Sequence, residues 1–246
     1  MTKFRRILMY ILDLESNPKR VPLSEEDLQL AAHLIDLGES IDKGEYVIKA
    51  SNLEVTCHSS HIMTKNNMVT FFEKVVFDSS MPKDILLIVD SWSTWKDTAA
   101  IDAVKPPSNK LKILTIPAGC TGNIQPCDVG IFGNFKKVVK TITNYAQLTH
   151  GNYKMHTRDE TLKLLSLVWH QMCSPKLESW ARYAWHASGY DVRRPSAFET
   201  PSQLLFPCGV ARDCDISGCS STSFIRCIHC EKYLCFKDFV FKYHMC

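Results

Sequence analysis

Five consecutive apolar residues, Ile85 to Val89, end in Asp90. So unbroken a run predicts a strand buried on both faces, as in the parallel sheets of α/β proteins. Upstream, Tyr46-Val47-Ile48 and Leu53-Glu54-Val55-Thr56 read as strand material, and Thr64 opens a helix with Met68, Phe71, Phe72, Val75 and Val76 on one face. Downstream, a short helix over 97–104 is stopped by Pro106-Pro107, and Leu111-Lys112-Ile113-Leu114-Thr115-Ile116 forms another strand. The loop 117–123 then leads into a helix over 128–145. Strand, helix, strand, helix is the rhythm of a parallel sheet.

Two more helices follow. Thr157 with Glu160 caps one that carries Leu162, Leu165, Val168, Trp169 and Met172; Ser174 before Pro175 opens the other, which ends at Gly189. Residues 190–207, with Pro195, Pro201 and Pro207, read as a linker. Near the N-terminus, Ser24 with Asp27 predicts a helix start ahead of Leu28, Ala31, Leu34 and Ile35. The apolar segment Ile7 to Leu12, ending in Asp13, reads either as a strand or as a helix with Phe4, Leu8 and Ile11 as its stripe. The expected organisation is a divergent segment 1–45, an α/β core 46–150, a helical extension 151–190, a linker 191–207 and a tail 208–246.

Composition adds little to this picture except by exclusion. With 246 residues, 45% hydrophobic and 22% charged, the chain can bury a core and is unlike a disordered sequence. No apolar run approaches the roughly 20 residues that cross a bilayer. Lys3, Arg5 and Arg6 before an apolar stretch mimic a signal peptide, but Asp13 and Glu15 follow at once, so an intracellular protein is expected. The net charge of +3 excludes a whole-molecule electrostatic clamp. Local charge is more telling, since between residues 101 and 145 Lys105, Lys110, Lys112, Lys136, Lys137 and Lys140 face only Asp102 and Asp128. That is either a phosphate-facing surface or a solvated helix face.

Cysteine usage changes the picture. Seven of the 11 cysteines fall within the last 39 residues, in the order Cys208, Cys214, Cys219, Cys227, Cys230, Cys235 and Cys246. Crowding around a C-x-x-C in a chain without a signal peptide points to metal rather than to disulfides. Zinc prefers four thiolate or imidazole ligands that arrive in close pairs. Six cysteines and His244 supply seven ligands, and Asp238, three residues beyond Cys235, completes a fourth pair, so two zinc ions are expected. An interleaved arrangement assigns Cys214, Cys219, Cys235 and Asp238 to one ion and Cys227, Cys230, His244 and Cys246 to the other. Cys208 and His229 are alternates, and Phe236, Phe239, Phe241 and Tyr243 are expected to pack around the ions. The competing reading is a set of free core cysteines.

Two carboxylates stand at telling places. Asp90 ends the buried strand, where ligands approach an open α/β sheet, and Asp128 begins the helix that follows the next strand. Together they can hold Mg²⁺ for phosphodiester chemistry; alternatively Asp90 caps a turn and Asp128 is an acid favoured by its helix dipole. His58 and His61 flank Ser59-Ser60 without a partner acid at a catalytic spacing, and no phosphate-cradling glycine loop is present.

The segments Ile85-Leu86-Leu87-Ile88-Val89-Asp90-Ser91-Trp92, Ile116-Pro117-Ala118-Gly119-Cys120-Thr121, Gln125-Pro126-Cys127-Asp128-Val129-Gly130 and Phe135-Lys136 resemble, in order and spacing, the catalytic core of the pogo/Tigger branch of mariner-type DDE transposases. The stretch 55–64 is similar to the segment before that core's first helix. The resemblance spans about residues 46–146 and implies an RNase H-like (DDE integrase-type) α/β core, with metal ligation at Asp90 and Asp128. The tail is similar to the cross-braced cysteine-rich fingers at the C-termini of some transposases, including the piggyBac type.

The chain departs from the family where the first catalytic aspartate and its opening strand belong, so the core is expected to be incomplete at its first strands. Asp13 is the one replacement in view. No helix-turn-helix region precedes residue 46, which argues against sequence-specific recognition of transposon ends. The resulting expectation is a nuclear, transposon-derived protein that binds DNA with low sequence specificity through Lys136, Lys137 and Lys140, and that does not cleave it for want of a complete triad. A homodimer is compatible with this reading and a membrane is not. Two alternatives stay open: an active Mg²⁺-dependent strand-cleaving and strand-joining enzyme using Asp13, Asp90 and Asp128, and a zinc-stapled protein-interaction module.

Overall fold

The computed structural model describes residues 50–55, 64–208 and 212–246, which fall into two compact units. Among the described residues, one unit takes in those up to 114 together with 156–162, and the other takes in those of 115–155 and 163–246. The segment 7–12 with Asp13, the helix expected after Ser24, the strand 46–48 and the pair His58 and His61 lie outside the described residues.

In the first unit, α1 (Lys65–Phe71) starts where Thr64 accepts a hydrogen bond from the Asn67 amide at 3.3 Å, leaving one fewer orphan donor at the helix end. It runs on into a π-helical turn, Phe72–Val76. Then come β1 (Asp84–Val89), a 3₁₀ turn (Ser93–Lys96), α2 (Thr98–Val104) and β2 (Lys110–Thr115). Asp97 caps α2 through the Ala100 amide at 3.0 Å. β1 and β2 pair, and because the Lys110 amide donates to the Lys83 carbonyl at 2.7 Å the strands begin side by side and run parallel.

The core of this unit is Met68, Phe72, Val76, Phe77 and Ile101, with Ile85, Leu87, Leu111 and Ile113 of the sheet packed against it. Those four alternate along their strands, so they share one face. The other face is open: Leu86 is 53% exposed and Leu114 40%. The expectation of a strand buried on both faces is therefore corrected, because the described sheet has two strands and its core covers one side. Residues 53–55 likewise form no strand; the Leu53 amide closes a turn on the Ala50 carbonyl at 3.3 Å.

The second unit carries α3 (Thr121–Ile124), a π-helical turn (Cys127–Ile131) and α4 (Phe132–Thr149), whose stripe Phe135, Val138, Ile142 and Ala146 is buried. The helix α5 (Arg158–Met172) contributes Leu164, Leu167, Val168, Trp169 and Met172 to the interior. Leu165, expected on that face, is only half-buried, while the polar Ser166 and Gln171 are fully buried. After a 3₁₀ turn (Pro175–Leu177), α6 (Glu178–Ala187) ends as expected at Gly189, whose φ of +83° suits a residue without Cβ.

Within the expected linker, α7 (Pro201–Leu205) forms instead, held by a capping box between Thr200 and Gln203, with Leu204 and Leu205 buried. Pro201, read as part of the linker, occupies the first helical position, where its missing N–H costs nothing. In the tail, β3 (Ile225–Arg226) and β4 (Tyr233–Leu234) pair antiparallel, with Ile225 opposite Leu234. Tyr145 stacks on Phe224 at 4.4 Å and His150 on Phe236 at 4.5 Å, so the tail shares its hydrophobic interior with the end of α4. Among the described residues no helix is long and apolar enough to cross a membrane.

Candidate metal centres and nucleic-acid surface

The hairpin β3–β4 places Cys227 and Cys230 on either side of a tight turn that closes where Glu231 adopts a φ of +63°. The chain then returns through a π-helical turn (Lys237–Phe241), bringing His244 and Cys246 back to the same turn. The donor atoms of Cys227, Cys230, His244 and Cys246, three sulfurs and an imidazole nitrogen, all lie within 4.8 Å of one another. The Cys227 and Cys246 sulfurs are 3.4 Å apart, and the Cys230 sulfur is 3.3 Å from His244 Nε2.

A second group gathers Cys214, Cys219, Cys235 and Asp238 within the same limit. Here the Cys219 and Cys235 sulfurs are 3.8 Å apart, and Asp238 Oδ2 stands 3.3 Å from Cys214 Sγ and 3.1 Å from Cys235 Sγ. Two thiolates on a tetrahedral zinc, each about 2.3 Å from the ion, would be about 3.8 Å apart. Donor type, number and spacing in both groups therefore fit zinc. The structure brings together the same two interleaved sets that the spacing indicated, and leaves Cys208 and His229 out of both. Among the described residues every cysteine is a free thiol.

The electrostatics of the two groups are those of sites that must shed protons to take up a metal. Burial, reinforced by a bond to Asp238, pushes the Cys235 thiol up to about 12, and burial together with Cys227 does the same to Cys246. Burial also opposes ionisation of Cys227, but the amides of Cys230 and His229, the Cys246 thiol and the Gln171 side chain outweigh it and leave Cys227 below its ordinary value. Cys219 is lowered chiefly by the Ser221 amide. The Lys242 ammonium, 2.5 Å from Asp238 Oδ1, holds the buried Asp238 carboxyl far below the usual range. Asp238 thus points one oxygen at the thiols and the other at a cation.

Of the aromatic residues expected around the ions, Phe236 and Phe239 are fully buried, Tyr243 bonds Ser166 Oγ at 2.5 Å, and Phe241 is 41% exposed. On α4, Lys136, Lys137 and Lys140 are exposed opposite the buried stripe, and among the described residues none of them forms an ion pair. They present three uncompensated ammonium groups along one helix.

Asp90 stands directly after β1, in the first unit. Its Oδ1 accepts from the Trp92 amide at 3.1 Å and from Trp95 Nε1 at 2.9 Å, which is a turn cap reinforced by an indole. Asp128 lies in the second unit, in the first turn of the π-helical segment before α4, with its amide bonded to the Gln125 carbonyl at 3.0 Å. Each unit holds its own aspartate by local structure. Sequence reasoning missed Trp95, Lys242 and Gln171 as partners of candidate ligands. Only Gln171 left a signal, a polar residue in register with the buried Leu164, Leu167 and Val168.

Residues 25–186 match the family model of the DDE superfamily endonuclease, and residues 185–246 match that of the Tc5 transposase C-terminal domain. No curated protein and no solved structure matches the chain.

Proposed function

The chain belongs to the DDE superfamily endonucleases, and on that premise we propose that it is a transposase-derived DNA-binding protein that lacks the complete carboxylate set for strand cleavage. Family membership implies an RNase H-like α/β fold, and β1, α2 and β2 make a βαβ unit in keeping with it. The reading is carried by Lys136, Lys137 and Lys140, exposed on the helix that follows Asp128 and, among the described residues, without ion-pair partners. Such a row binds phosphates without reading bases, so low sequence specificity and nuclear residence belong to the proposal.

By the likeness of their sequence motifs to the family's, Asp90 and Asp128 are the residues that would hold Mg²⁺, an ion that would polarise the phosphodiester and activate water. Asp90 would offer Oδ2 more freely than Oδ1, which already accepts from the Trp92 amide and Trp95 Nε1. Two-metal chemistry would call for a further carboxylate, for which the sequence offers Asp13. In the tail, the two groups of four would hold one zinc ion each as structural staples.

The test is a nicking assay on supercoiled plasmid with Mg²⁺ or Mn²⁺, beside a binding measurement at low salt. Binding without nicking is expected. Nicking abolished by both Asp90→Ala and Asp13→Ala would establish the active enzyme instead. Absence of DNA binding at low salt would leave a protein-interaction module.

A further inference from the structure

Gln171 is wholly buried near the C-terminal end of α5. A primary amide has two donors and an acceptor, and it is retained in an interior only where they are used. Its Oε1 accepts from the Ile228 amide at 2.7 Å, and its Nε2 donates to Cys227 Sγ at 3.4 Å. Both partners lie in the turn Cys227-Ile228-His229-Cys230. The next residue of that turn is gripped as well: His229 Nε2 bonds the His170 carbonyl at 2.8 Å, and the two imidazoles stack at 4.1 Å and 12°.

We infer that Gln171 is a positioning residue of the Cys227 centre, orienting its sulfur and its turn so that metal loading there and the packing of the end of α5 are one coupled event. The inference rests on the zinc reading proposed above. A metal-bound thiolate keeps much of its negative charge, and an N–H aimed at it stabilises that charge while fixing the direction of its lone pairs. Outer partners of this kind change metal affinity by roughly 10–100-fold. The second group takes its outer bonds from within the tail, from Lys242 to Asp238 and from the Cys235 amide to Cys214 Sγ at 3.4 Å. The effect of Gln171 is therefore confined to one centre of the two.

The test is a cobalt and zinc titration of the whole chain, wild type against Gln171→Met, which keeps length and loses both hydrogen bonds. In the variant one of two equivalents should bind about ten-fold or more weakly. The sulfur-to-cobalt charge-transfer band of that equivalent should move to longer wavelength, a change that loss of packing alone does not cause. Lys242→Met should weaken the other equivalent only. A wild-type chain that binds no ion sinks the zinc reading; two equivalents with unchanged affinity and spectrum in Gln171→Met sink this inference alone. If Gln171→Met does not fold, hydrogen exchange on the wild type decides. Chelation should deprotect residues 167–172 together with 227–230, and loss of protection at 227–230 only would overturn the coupling.

Discussion

A Cβ placed on Gly130 would stand 2.7 Å from the Cβ of Ala184, so the turn carrying Asp128 and the helix α6 meet with no room for a methyl group. The contact fixes how the π-helical turn Cys127–Ile131 sits before α4, and with it where Asp128 is carried. Gly130→Ala is expected to cost about 1–3 kcal/mol, the range for overpacking. Gly133, one turn later, has nothing within 4 Å of its would-be Cβ. Gly133→Ala should stabilise by up to about 1 kcal/mol, because alanine is the better helix former. Denaturant melts of the two variants check both signs, and equal effects would refute the contact.

Lys136, Lys137 and Lys140 should act through phosphates. Replacing all three by alanine should weaken binding to unrelated duplexes alike and flatten the logarithmic salt dependence by about 0.9 for each lost phosphate contact. Affinity unchanged at low salt would remove α4 from the interface.

Metal removal should loosen the second unit as a whole, because the tail shares its interior with α4 through Tyr145, Phe224, His150 and Phe236. Chelation is expected to lower the melting temperature of the full chain and to make the tail cysteines reactive toward thiol reagents. Cys173, which burial alone raises to about 12, should gain reactivity with them, because its amide bonds the Trp169 and His170 carbonyls at the end of α5 that opens with the Cys227 turn. An unchanged melting curve after complete chelation would show that metal is not a staple here.

The pair Lys65 and Asp97, 2.5 Å apart, predicts a pH dependence in the first unit. The hydrogen bond from Lys65, with a second from the Ala100 amide, holds the Asp97 carboxyl below its ordinary range. A carboxyl depressed in the folded state contributes stability that is present above its unfolded value and is lost as the pH falls through the folded one. Asp97→Asn keeps a capping side chain but removes the charge. The variant should melt below wild type near neutral pH and converge with it in acid, and a gap that persists in acid would assign the effect to capping alone.

The features legible in the order of residues are local in origin. Thr64, Asp97 and Gly189 mark helix ends because a side-chain oxygen reaching an amide three residues on, or a backbone free of Cβ, acts within one turn. The gathering of cysteines into two groups is legible for the same reason, since short spacings such as Cys227 to Cys230 and Cys235 to Asp238 turn neighbouring side chains toward one point. Tertiary structure decided what depends on distant chain. Leu86 is exposed although it sits in an unbroken apolar run, because burial of a strand face is settled by what covers it. Pro201 starts a helix rather than a linker because Leu204 and Leu205 find an interior to fill. Gln171 meets Cys227 across 56 residues of sequence, a partnership that no periodicity encodes and that exists only once the tail is seated on α5.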